Sequence, residues 1–296
     1  MKVKLWGTRG SIPTPSTTTF KTSLFGGDTT SLTVESRDKL LIFDAGSGAR
    51  HLGLDLMKRK VSEATFFFTH VHWDHIQGFP FFMPAFVPAN KFTLYGPNMN
   101  PKFKRAKANM LERALRDQQH EITFPIKLDQ MPASMTFKNI DENEAVEIKV
   151  KGGKLIIRPR ILNHPGGSFG YRIEEHLRGK PVKIFTLATD TEHFVDLNPN
   201  VQDLAQDADL MIYDCQYNED EYSGKNSMPK KGWGHSTWNW GLQESAAANV
   251  KQMLLFHHDP MHDDKFILNL ERQAKASAKK LGIRVAAARQ FSEFDI

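Results

Sequence analysis

The stretch Thr69-His70-Val71-His72-Trp73-Asp74-His75 places three imidazoles and one carboxylate within six residues. On an extended or tightly looped backbone His70 and His72 reach one ion together. Asp74 and His75 then point toward a second. Donors this close in sequence are preorganised for chelation. Imidazole with carboxylate suits zinc, iron or manganese better than magnesium or calcium.

The rest of the chain must supply the missing ligands. His164 lies in Leu162-Asn163-His164-Pro165-Gly166-Gly167, Asp190 ends Phe185-Thr186-Leu187-Ala188-Thr189, and His257 follows Met253-Leu254-Leu255-Phe256. Each is a polar residue where an apolar strand-like run emerges. Singly each is an ordinary turn residue; beside a chelating cluster they complete a ligand set, with Asp190 able to bridge two cations. Successive side chains of an extended segment alternate direction, so only one of His257 and His258 faces the metals. His258 and His262 read as supporting residues, and His51, His120, His176 and His193 as surface residues.

Apolar runs predict strands over 3–6, 31–35, 40–43, 65–69, 92–95, 155–162, 168–174, 182–188, 210–214, 253–256 and 284–287. Helical spacing predicts helices over 49–60, 101–119, 237–249 and 263–281. Strands and helices in both halves suggest two packed sheets covered by helices. The 296 residues, 40% hydrophobic, suit one domain over 1–296. The single cysteine, Cys215, excludes an internal disulfide and a cysteine-based zinc cluster. No signal peptide or membrane span is legible, which predicts a cytoplasmic protein. A net charge of +5 fits an anionic substrate.

The ordered set of HxHxDH, His164, Asp190 and His257 resembles the metallo-β-lactamase superfamily. The likeness runs from Gly7-Thr8-Arg9-Gly10-Ser11 through Phe43-Asp44-Ala45-Gly46 to His257-His258-Asp259-Pro260. Within the superfamily, Gly167-Ser168-Phe169-Gly170-Tyr171-Arg172-Ile173 and Gly234-His235-Ser236-Thr237 are most similar to ribonuclease Z-like and PhnP-like phosphodiesterases. The resemblance implies an α/β (α+β) fold, the αββα sandwich of two mixed sheets flanked by helices. It implies two divalent ions, zinc first, with manganese or iron as alternatives. His70, His72 and His164 would hold one ion; Asp74, His75 and His257 the other; Asp190 would bridge. It implies Asp44 as the partner of a ligand, and water activated between the ions attacking a phosphodiester. His235 is the implied general acid, and Asp74 is counted as catalytic as well as ligating.

Only 25 residues separate His164 from Asp190. Ribonuclease Z proper carries its long tRNA-gripping arm there, so a small nucleotide diester, cyclic nucleotides included, is the expected substrate, with short RNA as the alternative. Arg9, Ser168 and Trp73 are candidate substrate contacts, as are Lys102, Lys104, Arg105 and Lys107. The aromatics Phe79, Phe81, Phe82, Phe86, Trp233, Trp238 and Trp240 serve either as pocket wall or as core, and segment 79–87 could instead be a homodimer interface. The rival readings are an endoribonuclease of the ribonuclease Z type, a thioester or lactone hydrolase and a non-catalytic nucleotide sensor.

Overall fold

The computed structural model describes residues 1–99, 109–225 and 228–296. Two seven-stranded mixed sheets face each other, flanked by helices, in the αββα arrangement. The first sheet runs in the order β14 (Glu293–Asp295), β1 (Lys2–Gly7), β2 (Ser31–Ser36), β3 (Lys39–Phe43), β4 (Glu63–Phe67), β5 (Lys91–Pro97), β6 (Ser134–Ile140). The second runs β13 (Arg284–Ala287), β12 (Gln252–Phe256), β11 (Leu210–Asp214), β10 (Lys183–Ala188), β9 (Ser168–Leu177), β8 (Gly153–Leu162), β7 (Val146–Val150).

Each sheet consists of three antiparallel pairings followed by three parallel ones. In the first, β3 to β6 are parallel; in the second, β10 to β13. Strands covered on both faces read as nearly continuous apolar runs. Leu210-Met211-Ile212-Tyr213-Asp214 is buried throughout. The layer between the sheets is filled by Leu32, Phe43, Phe67, Tyr171, Phe185, Ile212 and Leu254 among others. Outside it, the helix Ala49–Arg59 sets Leu52 and Leu56 on the first sheet. The helix Asp264–Ala278 sets Ile267, Leu270 and Ala274 on the second, at the three-and-four spacing of an amphipathic face. Among the described residues no helix is long and apolar enough to cross a membrane.

The expected strands are present with ends shifted by a few residues. The pattern did not mark β6, β7 and β14, nor the helices Pro199–Ala205 and Glu219–Ser223. Of the helix expected over 101–119, Met110–Gln118 is seen, capped by the Asn109 side chain. Its proposed phosphate contacts Lys102, Lys104, Arg105 and Lys107 lie outside the described residues.

Candidate metal centre

The site forms where the carboxyl end of β4 in the first sheet meets those of β8, β10 and β12 in the second, the usual position of ligand sites in layered α/β folds. Beyond β4 the chain passes through Phe68 and Thr69 into His70 and His72, then into the short helix Trp73–Ile76, which carries Asp74 and His75. His164 follows β8, Asp190 follows β10 and His257 follows β12.

Two groups of donor atoms gather there, with all atoms in each group within 4.8 Å of one another. One is His70, His72 and His164; the other is Asp74, His75, Asp190 and His257. Asp190 connects them. Its Oδ2 lies 3.3 Å from His75 Nε2, and its Oδ1 lies 3.3 Å from His257 Nε2, 3.8 Å from His70 Nε2 and 4.0 Å from His164 Nε2. Asp74 Oδ2 stands 3.2 Å from His257 Nε2 and 3.4 Å from His75 Nε2.

These donors fit divalent cations. The Nε2 atoms of His70 and His75 are buried and have no hydrogen-bond partner among the described residues. A buried polar atom left unpaired is expensive unless something else ligates it. With divalent ions bound, five neutral imidazoles and two carboxylates would leave net positive charge at the site, which would favour an anionic substrate.

Supporting contacts fix the ligands' orientation. Asp44, directly after β3, accepts from His75 Nδ1 at 2.8 Å, from Thr69 N at 2.8 Å and from the Thr69 hydroxyl at 2.9 Å. His257 Nδ1 lies 2.9 Å from Gln216 Oε1, and His164 Nδ1 lies 2.9 Å from the Gly234 carbonyl. Ser11 N donates to Asp74 Oδ2 at 2.7 Å.

The electrostatics follow from burial and crowding. Burial pushes His70 well below its ordinary value, so it stands neutral. Burial also pulls on His75 and His257, but Asp190 and Asp74 outweigh it; His75 rises well above the usual range and His257 rises to about 9. For Asp74 and Asp190 burial favours the protonated form, and the adjoining imidazoles override it and hold both carboxyls well below the usual range.

His235 sits against this cluster. Its ring is stacked on His257 at 4.8 Å between centroids and lies 5.2 Å from His164. Asp214, the last residue of β11, holds His235 Nδ1 at 2.8 Å and accepts from Ser236 N at 3.2 Å. Glu192 anchors the preceding loop by accepting from Gly232 N at 2.7 Å and Gly234 N at 2.9 Å.

Sequence reasoning missed Asp214, Gln216 and Glu192. Asp214 was findable by the rule that selected Asp190, a polar residue ending an apolar strand. Gln216 and Glu192 carry no such signal.

Some expected contacts need correction. Arg9 is fully buried and its guanidinium donates to the carbonyls of Gly26, Asp259 and His262, so it braces three segments and does not face a phosphate. Ser168 is fully buried at the start of β9, out of reach of a ligand arriving from solvent. Trp73, by contrast, is 82% exposed between His72 and Asp74. Phe79 and Phe82 belong to the outer core of the first sheet, with Phe86 packed against it, while Phe81 is exposed against Phe124. Trp238 packs on the second sheet's outer core. His193 is no surface residue: it stacks on Trp240 and meets the Ser236 hydroxyl, and burial lowers it to about 4.

The profile of the family described as "Beta-lactamase superfamily domain" matches residues 41–258, most of the chain. The ribonuclease Z of Lactiplantibacillus plantarum is 24% identical over 317 residues, covering 89% of this chain and 90% of that protein. Among solved structures, the metallo-β-lactamase fold protein YhfI from Bacillus subtilis superposes with a TM-score of 0.67 at 17% identity, covering 99% of this chain and 98% of that one. A diphosphatase from the PhnP family superposes with a TM-score of 0.62 at 15% identity, covering 100% and 97%. Paired sheets, donors converging at their shared edge and a profile match spanning every ligand-bearing segment lead to one assignment: the chain belongs to the metallo-β-lactamase superfamily.

Proposed function

We propose that the chain is a dinuclear, divalent-metal-dependent phosphodiesterase acting on a small nucleotide diester, with His235 protonating the departing oxygen. The reading rests on the His235–Asp214 pair seated against the ligand cluster. Bound at that cluster, two divalent ions, zinc first and manganese or iron as alternatives, supply an acidified water and neutralise phosphoryl charge. The chain's residues provide the rest. Asp214 occupies Nδ1 of His235, which leaves Nε2 as the nitrogen free to deliver a proton. Asp44, Gln216 and Gly234 hold His75, His257 and His164 in fixed orientations. An alkoxide leaving group needs such a donor; a thioester's thiolate does not.

The name shared by the sequence relatives supports a second reading, an endoribonuclease of the ribonuclease Z type. Against it, β9 and β10 are joined by residues 178–182 alone, too short for a tRNA-gripping arm at that position.

The test is hydrolysis of bis-p-nitrophenyl phosphate by the zinc- or manganese-loaded protein, with nitrocefin and S-lactoylglutathione as controls. Diester turnover without control turnover is expected. His235→Ala should lower kcat on diesters with alkoxide leaving groups by about 10²–10⁴-fold, with metal content unchanged. Thioester turnover matching diester turnover would overturn the reading.

A further inference from the structure

We propose that the cleft beside His235 receives the leaving half of the diester, and that it selects a neutral, ring-bearing, hydroxylated alcohol of nucleoside type. This rests on the phosphodiesterase reading, because a proton donor must lie on the side from which the alcohol departs. His235 lines both the ligand cluster and this cleft of about 450 Å³. The cleft is therefore the space next to the donor in which a departing group can lie.

Its walls suit a flat ring. Trp233 is 47% exposed and Met261 is 79% exposed, and both line the cleft. An indole face stacks on a nucleobase without regard to base identity, and a thioether adapts to a ring edge. The Lys230 ammonium lies 4.0 Å from the Trp233 ring centroid and 5.9 Å from that of Tyr217, which pins the indole in place.

Its polar groups suit hydroxyls more than a second phosphate. The carboxylates of Asp259 and Glu221 line the same cleft. Both are held from behind. Asp259 accepts from Gln216 Nε2 at 3.1 Å and from Met261 N at 2.8 Å; Glu221 accepts from Asn218 N at 2.9 Å and meets His262 Nε2 at 2.8 Å. A carboxylate oxygen has capacity for a further donor, and a ribose hydroxyl supplies one. Among the described residues that line the cleft, two carboxylates against one ammonium, that of Lys230, give a phosphorylated leaving group nothing to gain. The cleft thus separates diesters that release a nucleoside from those that release a nucleotide.

Calorimetric titration of adenosine, one product of such a cleavage, into the metal-loaded protein tests the assignment without relying on turnover. Saturable binding is expected, weakened at least about fivefold in Trp233→Ala, and weaker for 2′,3′-dideoxyadenosine than for adenosine. The kcat/KM for adenylyl-3′,5′-adenosine should fall in step in Trp233→Ala, with the melting temperature unchanged. Absence of adenosine binding, or binding undiminished in Trp233→Ala, overturns the assignment. Binding that depends on Trp233 in a protein that cleaves no phosphodiester has a different meaning: it overturns the phosphodiesterase reading, and the leaving-group role with it, but keeps the nucleoside site.

Discussion

Several residues around the donor cluster hold backbone conformations that side chains usually avoid. Asp44, Asp190 and His257 have φ of 56°, 56° and 61°; Asp44 and His257 come directly after a strand and Asp190 two residues beyond one. Left-handed geometry costs about 1–3 kcal/mol per non-glycine residue and persists where the surroundings over-determine it. Here it turns each side chain back from the strand end toward the cluster. Two glycines serve the same end by being small. A Cβ on Gly10 would stand 2.2 Å from the His257 ring, and one on Gly234 would stand 2.2 Å from His164 Nδ1. Gly10→Ala should therefore push the His257 imidazole off its ion and weaken metal binding at that position about 10–100-fold. Elemental analysis after dialysis against limiting metal checks this; full occupancy would refute the crowding argument. At this scale the donors that converge were legible because histidine and aspartate at strand ends stand out in an apolar context. The role of Arg9 was not, because nothing in Gly-Thr-Arg-Gly-Ser announces that three carbonyls will enclose its guanidinium.

Two of the parallel strands that end beside the site, β11 and β12, are among the most deeply packed elements. Ile212 in β11 and Leu254 in β12 are fully buried between the sheets. Ile212→Ala removes contacts in a layer that cannot close around the gap and should destabilise the protein by about 2–5 kcal/mol. A shifted denaturant midpoint at unchanged slope reads this out; a loss below about 1 kcal/mol would mean that the layer repacks. The same burial made these strands readable, since an element covered on both faces is apolar at nearly every position. β6 and β7 lie at the sheet edges and alternate between exposed and half-buried positions, so Ser134-Met135-Thr136-Phe137-Lys138 and Val146-Glu147-Ile148-Lys149 offered no apolar run. β14 spans only Glu293–Asp295 and is too short for any pattern.

Across the molecule, the buried charges couple stability to pH. Without metal, His257 titrates at about 9 in the folded protein, against an ordinary 6.5. Its contribution is complete below pH 6.5 and is lost as pH rises through 9. His258, neutral through burial and lowered to about 3, contributes fully above pH 6.5 and loses that contribution as pH falls toward 3. The metal-free protein should therefore melt highest near pH 6.5. Loading with metal should remove the alkaline loss, because coordination needs the neutral imidazole in any case. It should also release protons from His75 and His257 at neutral pH, measurable with an indicator dye in weak buffer. Proton uptake on loading would contradict the charge arrangement. The mirrored sheets give these effects their reach. His70, His72, Asp74 and His75 come from the first sheet, and His164, Asp190 and His257 from the second, so each group of donors straddles the seam. Cations held there would act as rivets through two plates. Chelation of bound metal should loosen the sandwich as a whole, and any disturbance that lets the plates slide should weaken metal binding at both donor groups together.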